Sequence, residues 1–342
     1  MIVGGWWLIS VFSLSAPNTA TVNRLAARTE LENAAGNYAG AISFSERGLA
    51  IAPLSWNFYY QRGLAQAALF QPRPQIEQDF AIARYLMPNR PDIALKEGLV
   101  WLSVGDEDLA FAVWQESMQR WPANASVLYG DIFGAVRGDV ELRDRWRQLG
   151  HLNRQCLPIL LRNTNRLEFE VELNRILADD PELSSLSPTE RKILFTTWLH
   201  EGDQLGLADA LQRHPDWQTA GWEELATALA NAGDYRPAYE TMHRFVPHPR
   251  LPVIEPNNST KTLLLRFRAT KNVATDGLAL VQSQMSAKDF DVALSNLKNF
   301  STAENVPPAV YFLESEIWAQ KGDWPKAWQA IVKYQGAIHH EP

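Results

Sequence analysis

Cysteine is almost absent from this sequence of 342 residues, whose single copy, Cys156, is flanked by apolar side chains. One cysteine excludes a disulfide within the chain and disfavours a cysteine-based metal site. It leaves the compartment open, because exported proteins need not contain disulfides. Catalytic motifs are missing too: there is no glycine-rich phosphate loop, no His-Glu-x-x-His and no Gly-x-Ser-x-Gly. We therefore predict a chain that is not an enzyme and that binds no cofactor and no metal ion.

Positive charge is also in short supply, since 32 Lys and Arg face 39 Asp and Glu and give a formal net charge of −7. A nucleic-acid surface needs clustered Lys and Arg. The densest basic group comprises Arg143, Arg145, Arg147 and Arg154. Acidic residues lie beside it, which is typical of a solvated helix face, so we predict no nucleic-acid partner. Strand-like alternation is missing as well, and this favours an all-α chain.

A short signature recurs along the chain: a glycine, then Asp or Asn, with an alanine five residues after the glycine. Four copies run from Gly36 to Ala41, from Gly105 to Ala110, from Gly233 to Ala238 and from Gly322 to Ala327. A fifth, from Lys288 to Ala293, has lost its glycine. Glycine accepts the left-handed conformation that closes a helix, and Asp or Asn caps the next one. The signature therefore predicts helical hairpins, with the alanine where two helices approach closely.

The hairpins recur at a nearly fixed interval. Lys288 and Gly322 are 34 residues apart, and the prolines that follow three second helices, Pro53, Pro88 and Pro122, are 35 and 34 apart. This period, the small residues and the closing proline resemble the tetratricopeptide repeat. The resemblance implies an all-α, right-handed α-solenoid of antiparallel helix pairs. It also implies a concave surface that is lined by the first helix of each hairpin and binds a protein or peptide.

The resemblance is uneven, and we divide the chain accordingly. In the middle, Gly138 and Gly202 keep the turn but lack the alanine, although residues 168–178 and 189–200 have helical apolar spacing. The predicted segments are an apolar N-terminal segment at 1–17, repeats at 18–123, diverged helical repeats at 124–220, and repeats at 221–342 with a proline-rich loop at 245–260.

The first sixteen residues carry no charged side chain, and the first charge in the chain is Arg24. A cleaved signal peptide would normally begin with Lys or Arg, and a complete membrane helix would be slightly longer. Both stay open, beside two further alternatives: the end of a membrane helix that starts upstream and a buried first helix of the array. Because residues 4–9 leave no polar stripe, we expect a membrane anchor, with the repeats in the periplasm or the cytoplasm of a bacterium at its inner membrane.

The register of the repeat places a set of side chains on the concave surface. These candidate binding residues are Asn23, Ala26, Glu30, Asn33, Asn57, Tyr60, Leu64, Asp92, Leu95, Leu99, Glu223, Thr227, Asn231, Gln282, Met285, Phe312, Glu316 and Gln320. The branch of the family that binds chaperone tails clamps a peptide carboxylate with Lys and Asn. Here Ala26, Glu30 and Asp92 stand at clamp positions, which disfavours that ligand. The surface is mixed apolar and mildly acidic, and this suits an extended peptide or a helix with some positive charge.

Three functions are compatible with these patterns. The leading hypothesis is a non-catalytic scaffold that binds a protein or peptide ligand in the groove of the superhelix. The second is the C-terminal accessory region of an O-antigen ligase or polymerase-like membrane protein of the cell envelope, which the order of segments resembles. The third is an unrecognised hydrolase. The sequence predicts neither the partner nor the oligomeric state.

Overall fold

The computed structural model describes residues 19–255, 258–302 and 305–339. In this part of the chain the regular structure is entirely helical, which confirms the all-α prediction. The described residues form two compact units, an N-terminal unit that ends at Asn163 and a C-terminal unit that begins at Thr164. The predicted apolar segment 1–17 lies outside the described residues, as do Pro256, Asn257 and His340. No helix within the described ranges combines the length and apolar character needed to cross a membrane.

The N-terminal unit consists of successive helical hairpins. Its helices are α1 (Thr19–Ala34), α2 (Tyr38–Ile51), α3 (Trp56–Ala68), α4 (Arg73–Leu86), α5 (Pro91–Ser103), α6 (Glu107–Arg120), α7 (Ala125–Val136), α8 (Val140–His151) and α9 (Leu157–Arg162). Within a hairpin the two helices pack on each other, and α1, α3, α5 and α7, the first helices, also contact one another in sequence. This is the neighbour-to-neighbour packing of a helical repeat array.

The C-terminal unit continues with hairpins and a long connection. Its helices are α10 (Arg166–Asp179), α11 (Pro188–Glu201), α12 (Gln204–Arg213), α13 (Gln218–Asn231), α14 (Tyr235–Phe245), α15 (Thr260–Thr270), α16 (Leu278–Ser286), α17 (Phe290–Phe300), α18 (Ala309–Gln320) and α19 (Trp324–His339). A π-helical turn, Val273–Gly277, leads into α16. The helical spacing noted at residues 168–178 and 189–200 corresponds to real helices, because α10 and α11 cover these ranges.

Six hairpin turns share one backbone geometry. The second residue after the first helix is left-handed in each, and the next backbone N–H donates to the carbonyl five residues back at 2.8–3.0 Å. The left-handed residues are Gly36, Phe70, Gly105, Gly233, Lys288 and Gly322, with φ between 52° and 89°. This is the helix cap that glycine favours. Lys288 therefore occupies the position of the lost glycine, as predicted, and Phe70 occupies it in the second hairpin.

The alanines of the signature lie at tight helix contacts. Ala41, Ala110, Ala238, Ala293 and Ala327 are all 0% exposed. The second helices α2, α4 and α6 each end two residues before a proline. That position agrees with the exclusion of the residue before proline from the helical region. The capping prediction is correct for Asn37, Asp106 and Asp323, whose side chains accept from backbone N–H groups one turn on, whereas Asp234 and Asp289 make no such bond.

The turns at Gly138 and Gly202, which lack the alanine, have a different geometry. Gly138 does not adopt the left-handed conformation, and neither does Gly202, whose φ is −110°. Asp139 and Asp203 still cap the following helices α8 and α12. Capping by Asp and closure by a left-handed residue are thus separable, and the Phe70 turn shows that the left-handed closure also occurs without the alanine.

The hairpins of the C-terminal unit do not pack in the order of the sequence. After α14 the chain runs through an irregular, proline-containing segment to α15, and the last helix, α19, packs against α14. One apolar cluster joins Tyr239 and Met242 of α14 to Ile331 and Tyr334 of α19. The Tyr334 hydroxyl also donates to the carbonyl of Pro247 at 2.5 Å. The hairpin α18–α19 is therefore packed between α13–α14 on one side and α16–α17 on the other.

Candidate functional site

The first helices of the N-terminal unit bring several predicted binding residues together. Asn57 on α3 donates to Glu30 on α1 at 2.9 Å, and Asn33 donates to the backbone and side-chain oxygens of Gln61 at 2.9 and 2.7 Å. Tyr60 lies beside this pair, and its burial, with a smaller contribution from the Asp92 carboxylate, raises its pKa to about 12. These contacts run along three successive first helices, so they form one continuous polar surface.

Two residues of this surface were missed in the sequence. The Arg90 guanidinium lies 4.5 Å from the centre of the Trp56 ring and makes two hydrogen bonds to Asp92, of 3.0 and 2.7 Å. Trp56 contacts Tyr60 with ring centres 6.1 Å apart. Trp56 lies four residues before Tyr60 on α3, and this spacing puts both side chains on one face of the helix. The spacing is the sequence signal that could have identified Trp56.

The C-terminal unit has a polar network between α11, α13 and α19. The Lys192 ammonium on α11 contacts Glu223 and lies 3.0 Å from Glu224 on α13. Glu224 is buried and accepts a second hydrogen bond, of 2.7 Å, from Thr196. Gln335 on α19 donates to Glu223 at 2.7 Å. Each carboxylate is therefore held by at least two donors, and this fixes its position on the helix surface.

An open cavity of about 610 Å³ lies next to this network. It is lined by Pro188, Thr189, Arg191, Lys192, Asp216, Thr219, Ala220, Trp222 and Glu223. These residues come from the first turns of α11 and from α13 with the turn before it. Trp222 is held by stacking on Phe245, with ring centres 6.0 Å apart and planes 9° from parallel. The cavity offers an aromatic wall, small side chains and charges of both signs.

Glu223 is the only residue of the predicted set that lines this cavity. Thr227 and Asn231 follow it along α13, where they bond the Glu223 carbonyl and Gln204. Phe312 requires a correction: it is buried in the cluster between α14 and α19 and is not offered to a ligand. If the hairpins packed in the order of the sequence, the predicted position of Phe312 would face a ligand. The packing of α19 on α14 covers it instead.

The other predicted residues take ordinary surface or half-buried positions. Asn23 and Gln320 are exposed, Glu316 lies 3.6 Å from the His243 ring, and the rest are half-buried: Ala26, Leu64, Leu95, Leu99, Gln282 and Met285. The register of the repeat did not predict the cavity. Thr189, Asp216 and Thr219 lie in the diverged middle of the chain, where no repeat register applied.

Other groups with potential chemistry have structural surroundings. Cys156 is buried, and burial raises the pKa of its thiol to about 12. His214 stacks on Trp217 with ring centres 4.1 Å apart and lies 3.4 Å from Glu182. Across the described residues, no group of three His, Cys, Asp or Glu side chains is arranged to hold a metal ion.

Comparison with known proteins adds a likeness to solved structures. No family model matches the chain, and no curated protein matches it. The TPR domain of P58(IPK) is 14% identical over 93% of this chain and 89% of that chain, with a TM-score of 0.26. A human IFIT1 dimer with PPP-AAAA is 13% identical over 90% and 69%, with a TM-score of 0.25. Yeast Tom70 is 11% identical over 92% and 68%, with a TM-score of 0.24.

TM-scores of this size do not establish a common arrangement, so the fold rests on the hairpins of this chain. Six of them close with the same left-handed cap, and five carry a fully buried alanine near the start of the second helix. The hairpins are tetratricopeptide-like. Their first helices pack on one another through α1, α3, α5 and α7 and again through α11 and α13, and the polar surface and the cavity lie on these helices.

Proposed function

We propose that this chain is a non-catalytic scaffold that binds a segment of a partner protein in the cavity between α11 and α13. The observation that carries the proposal is the cavity itself, whose volume of about 610 Å³ falls within the usual range for binding pockets. Its lining combines Trp222 with two carboxylates, Asp216 and Glu223, and two cations, Arg191 and Lys192. Such a mixture suits an extended peptide, because apolar contacts supply affinity and fixed polar groups set its orientation.

The polar network behind the cavity supports the same proposal. Glu223 is held by Lys192 and by Gln335 before any ligand arrives. A group that is already fixed loses little conformational entropy on binding, and this favours affinity. The two helices that present Lys192 and Glu223 pack on each other directly, so these two groups are carried by helices, whereas Asp216 lies on the turn before α13.

Selection from a random peptide library on the purified protein tests the proposal. Thr219 is exposed and lines the cavity, so Thr219→Trp fills the cavity without touching the core. We expect the selected peptides to lose at least about tenfold in affinity, or about 1.4 kcal/mol, for this variant. Gln212→Trp, at an exposed position of α12 outside the cavity, is the matched control and should bind as wild type. Selected peptides that bind both variants equally would contradict the proposal.

A further inference from the structure

The helices around the cavity carry an unusual surplus of carboxylates. Residues 164–231, which form α10 to α13, contain 13 Asp and Glu but only 5 Lys and Arg. Residues 1–163 contain 15 of each kind, so the N-terminal unit has no formal net charge. The negative charge is therefore concentrated in the part of the C-terminal unit that holds the cavity. A local surplus of this size attracts ligands of the opposite sign.

The five positive side chains of this stretch already have oxygen partners. Arg166 lies 3.6 Å from Glu170, Arg175 lies 3.1 Å from Glu172, and Arg213 pairs with Asp209. Lys192 is shared between the two carboxylates of the network, and Arg191 donates to the Leu183 carbonyl at 3.0 Å. The five cations thus neutralise only part of the acidic charge of α10 to α13, and this stretch keeps a negative net charge.

Two carboxylates of this stretch line the cavity together with an aromatic residue. Asp216 lines the cavity from the exposed turn before α13, and Glu223 lines it from α13 itself. Trp222 stands next to Glu223 in the chain and is fixed by its stacking on Phe245. A lysine or arginine side chain fits such a wall, because its aliphatic stem packs on the indole while its charged end pairs with a carboxylate. Arg191 and Lys192 line the same cavity, but Arg191 donates to the Leu183 carbonyl and Lys192 is shared between Glu223 and Glu224.

We infer that the cavity selects a partner segment that carries lysine or arginine and binds in an extended conformation. The inference rests on the proposed function and adds the chemistry of the ligand to it. In the complex, a cationic side chain of the partner contacts Trp222 and pairs with Asp216 and Glu223. Lys192 and Gln335 keep Glu223 in position, and apolar neighbours of the cation fill the space beside Pro188 and Ala220.

Fluorescence anisotropy with three labelled peptides of equal length tests this inference. One alternates Lys with Ala, and in the others Gln or Glu replaces every Lys. At physiological ionic strength, where screening acts beyond about 8 Å, we expect the lysine peptide to bind at least about tenfold more tightly than the glutamine peptide. The glutamate peptide should bind less tightly than either.

Matched charge variants separate the cavity from general electrostatic attraction. The double substitution Asp216→Asn with Glu223→Gln removes two carboxylates of the cavity, and we expect it to weaken the lysine peptide about tenfold. Asp209→Asn with Glu240→Gln removes two exposed carboxylates of the same unit that do not line the cavity, and should have little effect. Equal losses for both double variants would overturn the inference, because the attraction would then be non-specific.

The outcomes also distinguish this inference from the proposed function. If the glutamine peptide binds as tightly as the lysine peptide and Thr219→Trp abolishes both, the inference fails while the binding scaffold remains. If none of the three peptides binds although library peptides do, again only the inference fails. If the library also yields no peptide that Thr219→Trp blocks, both fail.

Discussion

Phe70 and Lys288 take the left-handed backbone position that glycine occupies in four other turns. Their φ angles are 52° and 61°. In this region the Cβ atom approaches a carbonyl oxygen, which costs roughly 1–2 kcal/mol for a residue other than glycine. The Phe70 side chain is 85% exposed, so packing does not offset this cost.

Phe70→Gly should therefore stabilise the protein by about 1 kcal/mol and raise its Tm, since it relieves the backbone strain and removes an exposed ring. Lys288→Gly should do the same. The control is Leu69→Gly, at the preceding residue with φ −91°, where glycine relieves no strain. It adds chain entropy to the unfolded state and removes a side chain that is 43% exposed, so it should lower the Tm. Thermal unfolding measures all three. A Phe70→Gly variant that melts at the same or a lower temperature than wild type would contradict the strained geometry.

Asp180, which follows α10, gives the C-terminal unit an acid-sensitive contact. Hydrogen bonds from Ser185, through its side chain and its backbone N–H, lower the pKa of this carboxyl to about 2. An unfolded carboxyl titrates near 3.9. The contact is therefore fully present above that pH and is lost as the pH falls toward about 2.

Asp180→Asn should accordingly lower the Tm at pH 6, and the difference from wild type should shrink between about pH 4 and pH 2. Asp179→Asn is the comparison, because Asp179 makes only an exposed ion pair of 3.6 Å with Arg175. Its effect on the Tm should be smaller. If the difference in Tm between Asp180→Asn and wild type stays constant down to pH 2, the lowered pKa of Asp180 is contradicted.

At the scale of helices, the alanine of the signature sets how closely two helices pack. Ala110 on α6 is 0% exposed, whereas Ala112 on the same helix is exposed. Ala110→Trp should destabilise the protein by about 1–3 kcal/mol, because the crossing has no room for a larger side chain. Ala112→Trp should change the free energy of unfolding by much less. Denaturant unfolding of both variants tests this, and equal midpoints would show that Ala110 does not lie at a tight crossing.

The docking of α19 on α14 joins elements about ninety residues apart, and hydrogen exchange can detect it. Ile331 is 0% exposed and lies in the cluster with Tyr239 and Met242. Ile331→Ala should destabilise the protein by about 2–5 kcal/mol. It should also speed amide exchange in α14 while α17, which belongs to the other cluster, keeps its protection. Faster exchange in α17 with α14 unchanged would indicate sequential packing of the hairpins.

These examples show how far the sequence predicts the structure. The helices, the capped turns and the buried alanines follow from local chemistry, which a sequence records directly. The position of Phe70 was hidden because its turn kept no glycine, and the return of α19 to α14 depends on contacts between distant segments. Asp216 and Thr219 lie where the repeat pattern is weakest. The repeat register, which could be applied to α1, α3 and α5, therefore did not reach them.

For the molecule as a whole, the formal charge differs between the two units. The C-terminal unit, from Thr164 onward, has 24 Asp and Glu against 17 Lys and Arg, and so carries the entire formal charge of −7. The N-terminal unit is balanced and presents the polar surface around Tyr60. We therefore assign recognition of a cationic partner to the C-terminal unit. The membrane anchor at residues 1–17 stays a prediction from the sequence.

The most direct test of the account is photo-crosslinking of the full chain to a lysine-containing peptide that carries a benzophenone, followed by mass-spectrometric mapping. The account predicts crosslinks within 188–192 and 216–223, the two segments that line the cavity. It also predicts that Thr219→Trp removes them. Crosslinks that map to α12 or to residues 19–163, or that persist in Thr219→Trp, would contradict the claim that the cavity between α11 and α13 is the binding site.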